Sequence, residues 1–217
     1  MSEEQALAGA RSRIDELRTK IDRLDQNALD LIFREARSHN WWANRDVTDD
    51  QRLEIWDIMK YGTTSANTLP ARILFIRSNE AKEKLKPCLT PANVEKTMLA
   101  PVTALIATDL NYFDNFEKLY PPRPEMKERH ASNPDFAAHF GFQQCTLQGA
   151  YFIIAARAIG LDCGAMGGFD NALADEAFLS GKAWKSNFLC NIGYADLEGV
   201  KGPRLYRYDF DEVCQVI

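Results

Sequence analysis

The amino-acid sequence predicts a single α+β domain with helices on both faces of a central sheet. Three observations point there. The 217 residues, 46% hydrophobic and 26% charged, suit one two- or three-layer core, and a second full domain would leave neither half its usual size. Short apolar strand-like runs alternate with longer helical patterns, without an internal repeat or a linker. One segment, GAYFIIAARAIG, is apolar nearly all round, as a core or subunit-interface helix is.

From about residue 11 to 36 the pattern is helical, with Ile14, Leu17, Ile21, Leu24, Ala28 and Leu31 alternating steps of three and four. Such a stripe lies either on its own domain or against a partner subunit. Within it, LRTKIDRLDQNALDLI resembles the first helix of helical chorismate mutases, but no further helices carrying such a site follow, and that reading is rejected. Thr48 and Gln51 form a capping box for a helix through Met59. The polar segment YGTTSANTLPAR leads into a strand at Arg72 to Arg77. Ser78 caps a helix through Leu85, and Thr90-Pro91 starts another, with proline where its missing N–H costs nothing. Pro101 to Thr108 is a buried strand. Asp109 to Ser132 is irregular, aromatic and proline-rich, and a loop of that length inside a compact domain points to function. Asn133-Pro134 opens the longest helix, to Ile159, stopped by Gly160. A glycine-rich turn, a helix after Asp170, a strand at Asn187 to Ile192 and an extended tail complete the chain.

Composition excludes several function classes. The net charge of -5 offers no basic surplus to displace counterions from nucleic acid. No run of about 18 apolar residues is present to span a bilayer, and the N-terminal stretch MSEEQALAGARSR lacks an apolar signal core. Five scattered cysteines without a CxxC pair predict reduced thiols and a cytoplasmic protein. His39, His130 and His139 lack metal-ligand spacing, so no metal site is expected. Rossmann, P-loop and GxSxG signatures are all missing. An enzyme built this way would leave its reaction to a bound cofactor and supply orientation and electrostatics.

Three polar clusters remain. Arg37-Ser38-His39-Asn40 combines a cation with hydroxyl and imidazole donors, as a phosphate cradle does, or simply ends a helix. Thr63 to Asn67 is dense in hydroxyl and amide groups, which also stabilise a plain turn. Gly167 and Gly168, within the run Gly164 to Asp170, would let a flat ligand approach the backbone or would serve a bare turn.

The order ARSHNWW, YGTTSANTLPAR, TPANVEKTMLAPV, QGAYFIIAARAIGLDCGAMGGFD and NIGY resembles the nitroreductase family over about residues 28 to 217, with a finer likeness to its malonic semialdehyde reductase, or 3-hydroxypropionate dehydrogenase, branch. Residues 1–27 then form an N-terminal helical arm. The resemblance implies a three-layer α-β-α fold with a mixed sheet, and a homodimer with FMN at the subunit interface. It implies reduction by NADPH or NADH, with hydride carried by flavin N5 in ping-pong kinetics and no protein nucleophile. By this likeness Arg37, Ser38 and His39 grip the FMN phosphate and ribityl chain, with Arg204 a late basic residue on the phosphate and Lys201 and Arg207 weaker candidates. Thr64, Ser65 and Asn67 reach the flavin from the partner subunit, Asn93 meets the ring edge, and Gly167 and Gly168 flank N5. A small acid aldehyde needs a cation, for which Arg72 and then His39 are candidates, although Arg72 could equally pair with a surface acid. Trp41, Leu69 and Gly167 depart from general nitroreductases, which commonly have a basic residue, glutamine and glutamate there. A broad nitro- or quinone-reducing enzyme and a non-catalytic flavin-binding protein are the alternatives.

Overall fold

A computed structural model describes residues 2–217. Four strands, β1 (Ala71–Ile76), β2 (Val102–Asp109), β3 (Asp162–Met166) and β4 (Trp184–Gly193), form one sheet in the order β1-β2-β4-β3. Helices α1 (Glu3–Lys20), α2 (Gln26–Leu29), α3 (Asp49–Met59), α4 (Asn79–Leu85), α5 (Pro91–Leu99), α6 (Phe116–Leu119), α7 (Met126–Ala131), α8 (Pro134–Ala158), α9 (Asn171–Leu179) and α10 (Phe210–Val213) surround it.

The predicted three layers follow from the two-residue alternation of the strands. Ala104 and Ile106 of β2 face Ile55 and Met59 of α3 and Phe152 and Ala155 of α8. Leu105 and Ala107 turn to the other face, toward Leu85, Ala174 and Leu179 of α4 and α9. β2 is buried along its whole length, as a central strand covered on both faces must be. Every strand pair is antiparallel, so the mixed sheet implied by the resemblance is corrected. The parallel component among the described residues is an isolated bridge from Ser38 to Cys163, outside the named strands.

Local signals explain the helix starts. The Thr48–Gln51 capping box forms, Ser78 and Asp170 accept from the third backbone N–H beyond them, and Asn133 caps α8. α8 stops at Ala158, with Gly160 at φ +80. Three expectations fail. The helix expected from 11 to 36 breaks after Lys20, because Asp25 caps a new helix and a solvent-facing stripe gains nothing from continuing; α2 then widens into a π turn over Asp30–Arg34. Ile14, Leu17, Ile21, Leu24 and Leu31 all remain exposed. Asp109 to Ser132 is not structureless, since it holds α6, α7 and a 3-10 turn at Tyr112–Asn115. Buried Tyr112 and His130 pin it, with hydroxyl and Nδ1 2.6 Å apart among Phe116, Phe136 and Phe140. Finally, the glycine-rich run begins as strand β3, which its small residues concealed.

The C-terminal tail is extended as expected, apart from a 3-10 turn at Leu197–Gly199 and the short α10. No helix among the described residues is long and apolar enough to cross a membrane.

Candidate functional site

The segment Arg37–Asn40 begins three residues past the end of the π turn rather than on a helix terminus. It is held extended along β3 by the Ser38–Cys163 bridge and by the His39 N–H, which donates to the Cys163 carbonyl at 2.9 Å. The fit is close: a methyl group at Gly164 would collide with the His39 carbonyl, which requires glycine there. His39 Nε2 faces Asp162 Oδ1 at 3.4 Å. Burial lowers the His39 pKa below the ordinary imidazole value; Asp162 opposes this, while Arg157 and Arg37 add to it.

The tail folds back over this segment. Arg37 donates to the Gly202 carbonyl at 2.9 Å and Arg204 to the Ala36 carbonyl at 2.8 Å. Between them opens a cavity of about 380 Å³ lined by Arg37, Ser38, Arg157, Arg204 and Arg207. A second cavity of about 250 Å³ adjoins it, lined by Arg37 to Trp41, by Asp196 and by the tail from Gly199 to Pro203, Lys201 included. Each of the four arginines is steadied by a backbone carbonyl, and none pairs with a carboxylate among the described residues. Guanidinium groups held in place and left without an acid are chemically suited to a phosphate or carboxylate ligand. Arg157 was missed from sequence because it sits in an apolar helix where nothing marks the side it faces. Its side chain reaches back to the Ile32 carbonyl at 3.0 Å.

Farther along the same edge, Gly167 and Gly168 follow β3. The Gly168 carbonyl accepts from Thr90 N, Thr90 Oγ1 and Asn93 Nδ2 at 3.1, 2.9 and 2.7 Å. Asn93 is therefore the support of the glycine loop, a role the sequence did not suggest. Gly167 faces open space, so its backbone is accessible to a flat group. From Cys163 to Gly167 the chain advances roughly 13 Å, taking the strand rise per residue.

The Thr64–Asn67 turn belongs elsewhere. Ala66, Asn67 and Leu69 all have positive φ, of 51, 50 and 42, a strained arrangement of the kind found at ligand-binding turns. Ser65 and Asn67 are exposed, while Ser65 N donates to Gln144, Asn67 Nδ2 to the Leu119 carbonyl and Leu69 N to Thr64 Oγ1. The turn enters β1, at the opposite sheet edge from β3 and the opposite end of β2. Strand rise and spacing put it on the order of 25 Å from Ser38. One chain does not bring the turn and the arginine cavity together.

Arg72 stands at that far corner too. Its guanidinium donates to Asp109 at 2.6 Å and to the Leu69 and Ala71 carbonyls at 3.1 and 2.9 Å. The structure gives it the acid partner that was its alternative reading.

The family model for the nitroreductase family matches residues 33–194, three quarters of the chain. The chain belongs to the nitroreductase family. A nitroreductase relative from Ralstonia pickettii, provisionally named NADH dehydrogenase/NAD(P)H nitroreductase HadB, is 47% identical over 189 residues, covering 86% of this chain and 96% of its own. A protein of the same provisional name from Cupriavidus pinatubonensis is 46% identical over 192 residues, covering 87% and 96%. Among solved structures, a provisionally named nitroreductase from Bacillus subtilis matches with a TM-score of 0.78 at 16% identity, over 89% of this chain and 100% of that one. Another, from Exiguobacterium sibiricum and in complex with FMN, matches with a TM-score of 0.73 at 19% identity, over 90% and 99%. At those identities the structures show the nitroreductase fold alone. The Ser38 segment, the glycine loop and the Thr64 turn all lie within the matched region, whereas Arg204 and Arg207 lie beyond it.

Proposed function

We propose that this chain is an FMN-dependent NAD(P)H oxidoreductase that reduces a small aldehyde acid, malonic semialdehyde to 3-hydroxypropionate being the specific reading. The observation that carries the cofactor is the carboxylate-free arginine cavity with the open glycine loop farther along the same sheet edge. Family membership and the FMN in the Exiguobacterium sibiricum structure support it. Arg37, Arg157 and Arg204 would hold the phosphate, Ser38 and His39 the chain that joins it to the ring, and Gly167–Gly168 the ring face. Bound FMN supplies a two-electron hydride carrier, which explains why the chain needs no nucleophile of its own. The exposed Thr64–Asn67 turn would reach the same ring from a second copy, because its own arginine cavity lies at the far corner of the sheet. That makes the working unit a homodimer with shared sites.

Two features support an acid acceptor. Gly167 stands where general nitroreductases commonly have glutamate, so no carboxylate repels an anion at the open loop. His39, held by Asp162 at the rim, and Lys201 then become the candidate anchors, since Arg72 is engaged with Asp109. The names of the relatives favour the second reading, a broad nitro- or quinone-reducing enzyme.

The two readings separate in the ratio of kcat/KM for malonic semialdehyde over a neutral nitroarene, measured with both nicotinamides. The aldehyde reading expects the ratio to exceed one and to fall several-fold in Lys201→Ala at equal FMN content, mainly through KM. A ratio far below one in the parent enzyme establishes the nitroreductase reading instead.

A further inference from the structure

A buried lysine with no acid partner among the described residues ties α4 to the last turn of α5. Lys82 of α4 is 3% exposed. Its ammonium donates to the Thr97 carbonyl at 2.7 Å and to Thr103 Oγ1 at 2.6 Å. Thr103 passes the chain on to Asn191 Oδ1 at 2.7 Å, and Asn191 Nδ2 returns to the Lys96 carbonyl at 3.2 Å and to Thr97 Oγ1 at 3.4 Å. Thr97 Oγ1 in turn contacts Met166 Sδ at 3.4 Å. Thr97, Thr103 and Asn191 are completely buried. Five elements, α4, α5, β2, β4 and β3, thus meet in one knot whose last member, Met166 of β3, is the residue before Gly167.

We propose that Lys82 is a positioning residue for the glycine loop, acting through both ends of α5. The carbonyls of Lys96 and Thr97 lie in the last turn of α5, where helix carbonyls lack intrahelical donors and a cation suits the negative end of the dipole. Lys82 satisfies the Thr97 carbonyl, and Asn191 together with Trp42 Nε1, at 3.1 Å, satisfies that of Lys96. At the first turn of the same helix Thr90 and Asn93 grip the Gly168 carbonyl with three hydrogen bonds. α5 is therefore a strut of nine residues, anchored by Lys82 behind and holding Gly168 in front. The Thr97–Met166 contact is a second, shorter tie to the same loop. No carboxylate among the described residues pairs with Lys82, and burial alone has pushed its pKa down to about 7. Retaining a buried lysine without a carboxylate is costly in either protonation state, and leucine or methionine would fill the space without that cost. A requirement for a rigid loop accounts for it. This role rests on the reading that Gly167–Gly168 faces a flavin, but the mechanical part does not.

The test compares Lys82→Met, Thr97→Val and, as a packing control on the opposite face of the sheet, Ile55→Ala. Three quantities are read: FMN affinity, the position and shape of the visible band of bound FMN, and amide hydrogen exchange at Gly167 to Phe169 in protein without FMN. Lys82→Met is expected to weaken FMN binding by about fivefold or more, the worth of one net hydrogen bond, to shift the bound band toward that of free FMN, and to speed exchange at the loop. Thr97→Val should do the same to a lesser degree. Ile55→Ala should lower the melting temperature while leaving band and loop exchange as in the parent. Parent-like affinity, band and loop exchange in Lys82→Met overturn the proposal. If that variant does not fold, parent-like loop exchange in Thr97→Val overturns it. A parent that binds no FMN defeats the functional reading, and loop exchange then still decides the positioning role.

Discussion

Two side chains show how burial and charge act one residue at a time. His130 is 1% exposed, and burial, with Arg129 adding to it, holds its pKa below the ordinary imidazole value. The unfolded chain therefore binds a proton that the folded chain refuses. Stability from this group is complete above the unfolded value of about 6.5 and is lost as pH falls toward the depressed folded one. Urea midpoints taken from about pH 7.5 to about pH 5 should fall more steeply in the parent than in His130→Gln; equal slopes would show that His130 carries none of the dependence. His39 is lowered as well, so the comparison with the variant, not the parent alone, isolates His130. At the arginine cavity, Arg204→Ala should weaken FMN binding by roughly tenfold to a hundredfold, the worth of one charge-assisted contact. Arg157→Ala should lie in the same range, and titration of apoprotein measures both. The arginines differ in how far the sequence disclosed them. Arg37 stands in a polar cluster and Arg204 was implied by the family resemblance, whereas Arg157 is embedded in GAYFIIAARAIG, where a single charge reads as the wet side of a helix. Which way it points depends on where α8 lies relative to the Ile32 carbonyl, and that is a tertiary fact.

The elements were legible where a local device sets them. The Thr48–Gln51 box, Ser78, Thr90-Pro91, Asn133-Pro134 and Asp170 each mark a helix start that formed within a residue of its expected place. β3 was not legible, because Asp-Cys-Gly-Ala-Met has little β propensity and is a strand through pairing with β4 and the Ser38 bridge. The break between α1 and α2 escaped for the opposite reason: the 3-4 stripe runs through it, but periodicity stabilises a helix only when something covers the stripe. α8 invites a prediction at this scale. Gly149, Phe152, Ala155 and Ala156 are buried in the chain's own core, so the half of α8 beyond Gly149 is largely occupied. Exposed apolar side chains lie on the earlier half, at Phe142 and Leu147, and on α3 at Leu53 and Trp56. Leu147→Asp should weaken self-association by roughly tenfold or more in sedimentation, at the cost expected for desolvating a carboxylate in an apolar contact. Unchanged association would place the dimer contact elsewhere.

At the scale of the whole molecule, the fold sorts the candidate residues into two distant groups. Arg37, Ser38, His39, Asn93, Gly167, Gly168 and Arg204 gather along the β3 edge; Thr64, Ser65, Asn67 and Arg72 sit at the opposite corner with β1. For Thr64, Ser65 and Asn67 the family resemblance implied that division; for Arg72 nothing did, because a sequence orders residues along a line and says nothing of which sheet edge each will occupy. The division is also what makes a second copy necessary to the account. The exposed apolar residues of the tail, Leu205, Tyr206, Tyr208 and Phe210, and of α1 suit such an assembly, with the segment 1–27 proposed as an arm of it. The central claim is that two chains together build FMN sites. Sedimentation velocity recorded at the flavin wavelength and at 280 nm, on apoprotein titrated with FMN, tests it most directly. The account predicts flavin absorbance travelling with a dimer at about one FMN per chain, and chemical release of FMN rather than FAD. A protein that takes up no FMN, or an FMN-saturated monomer at micromolar concentration, would contradict it.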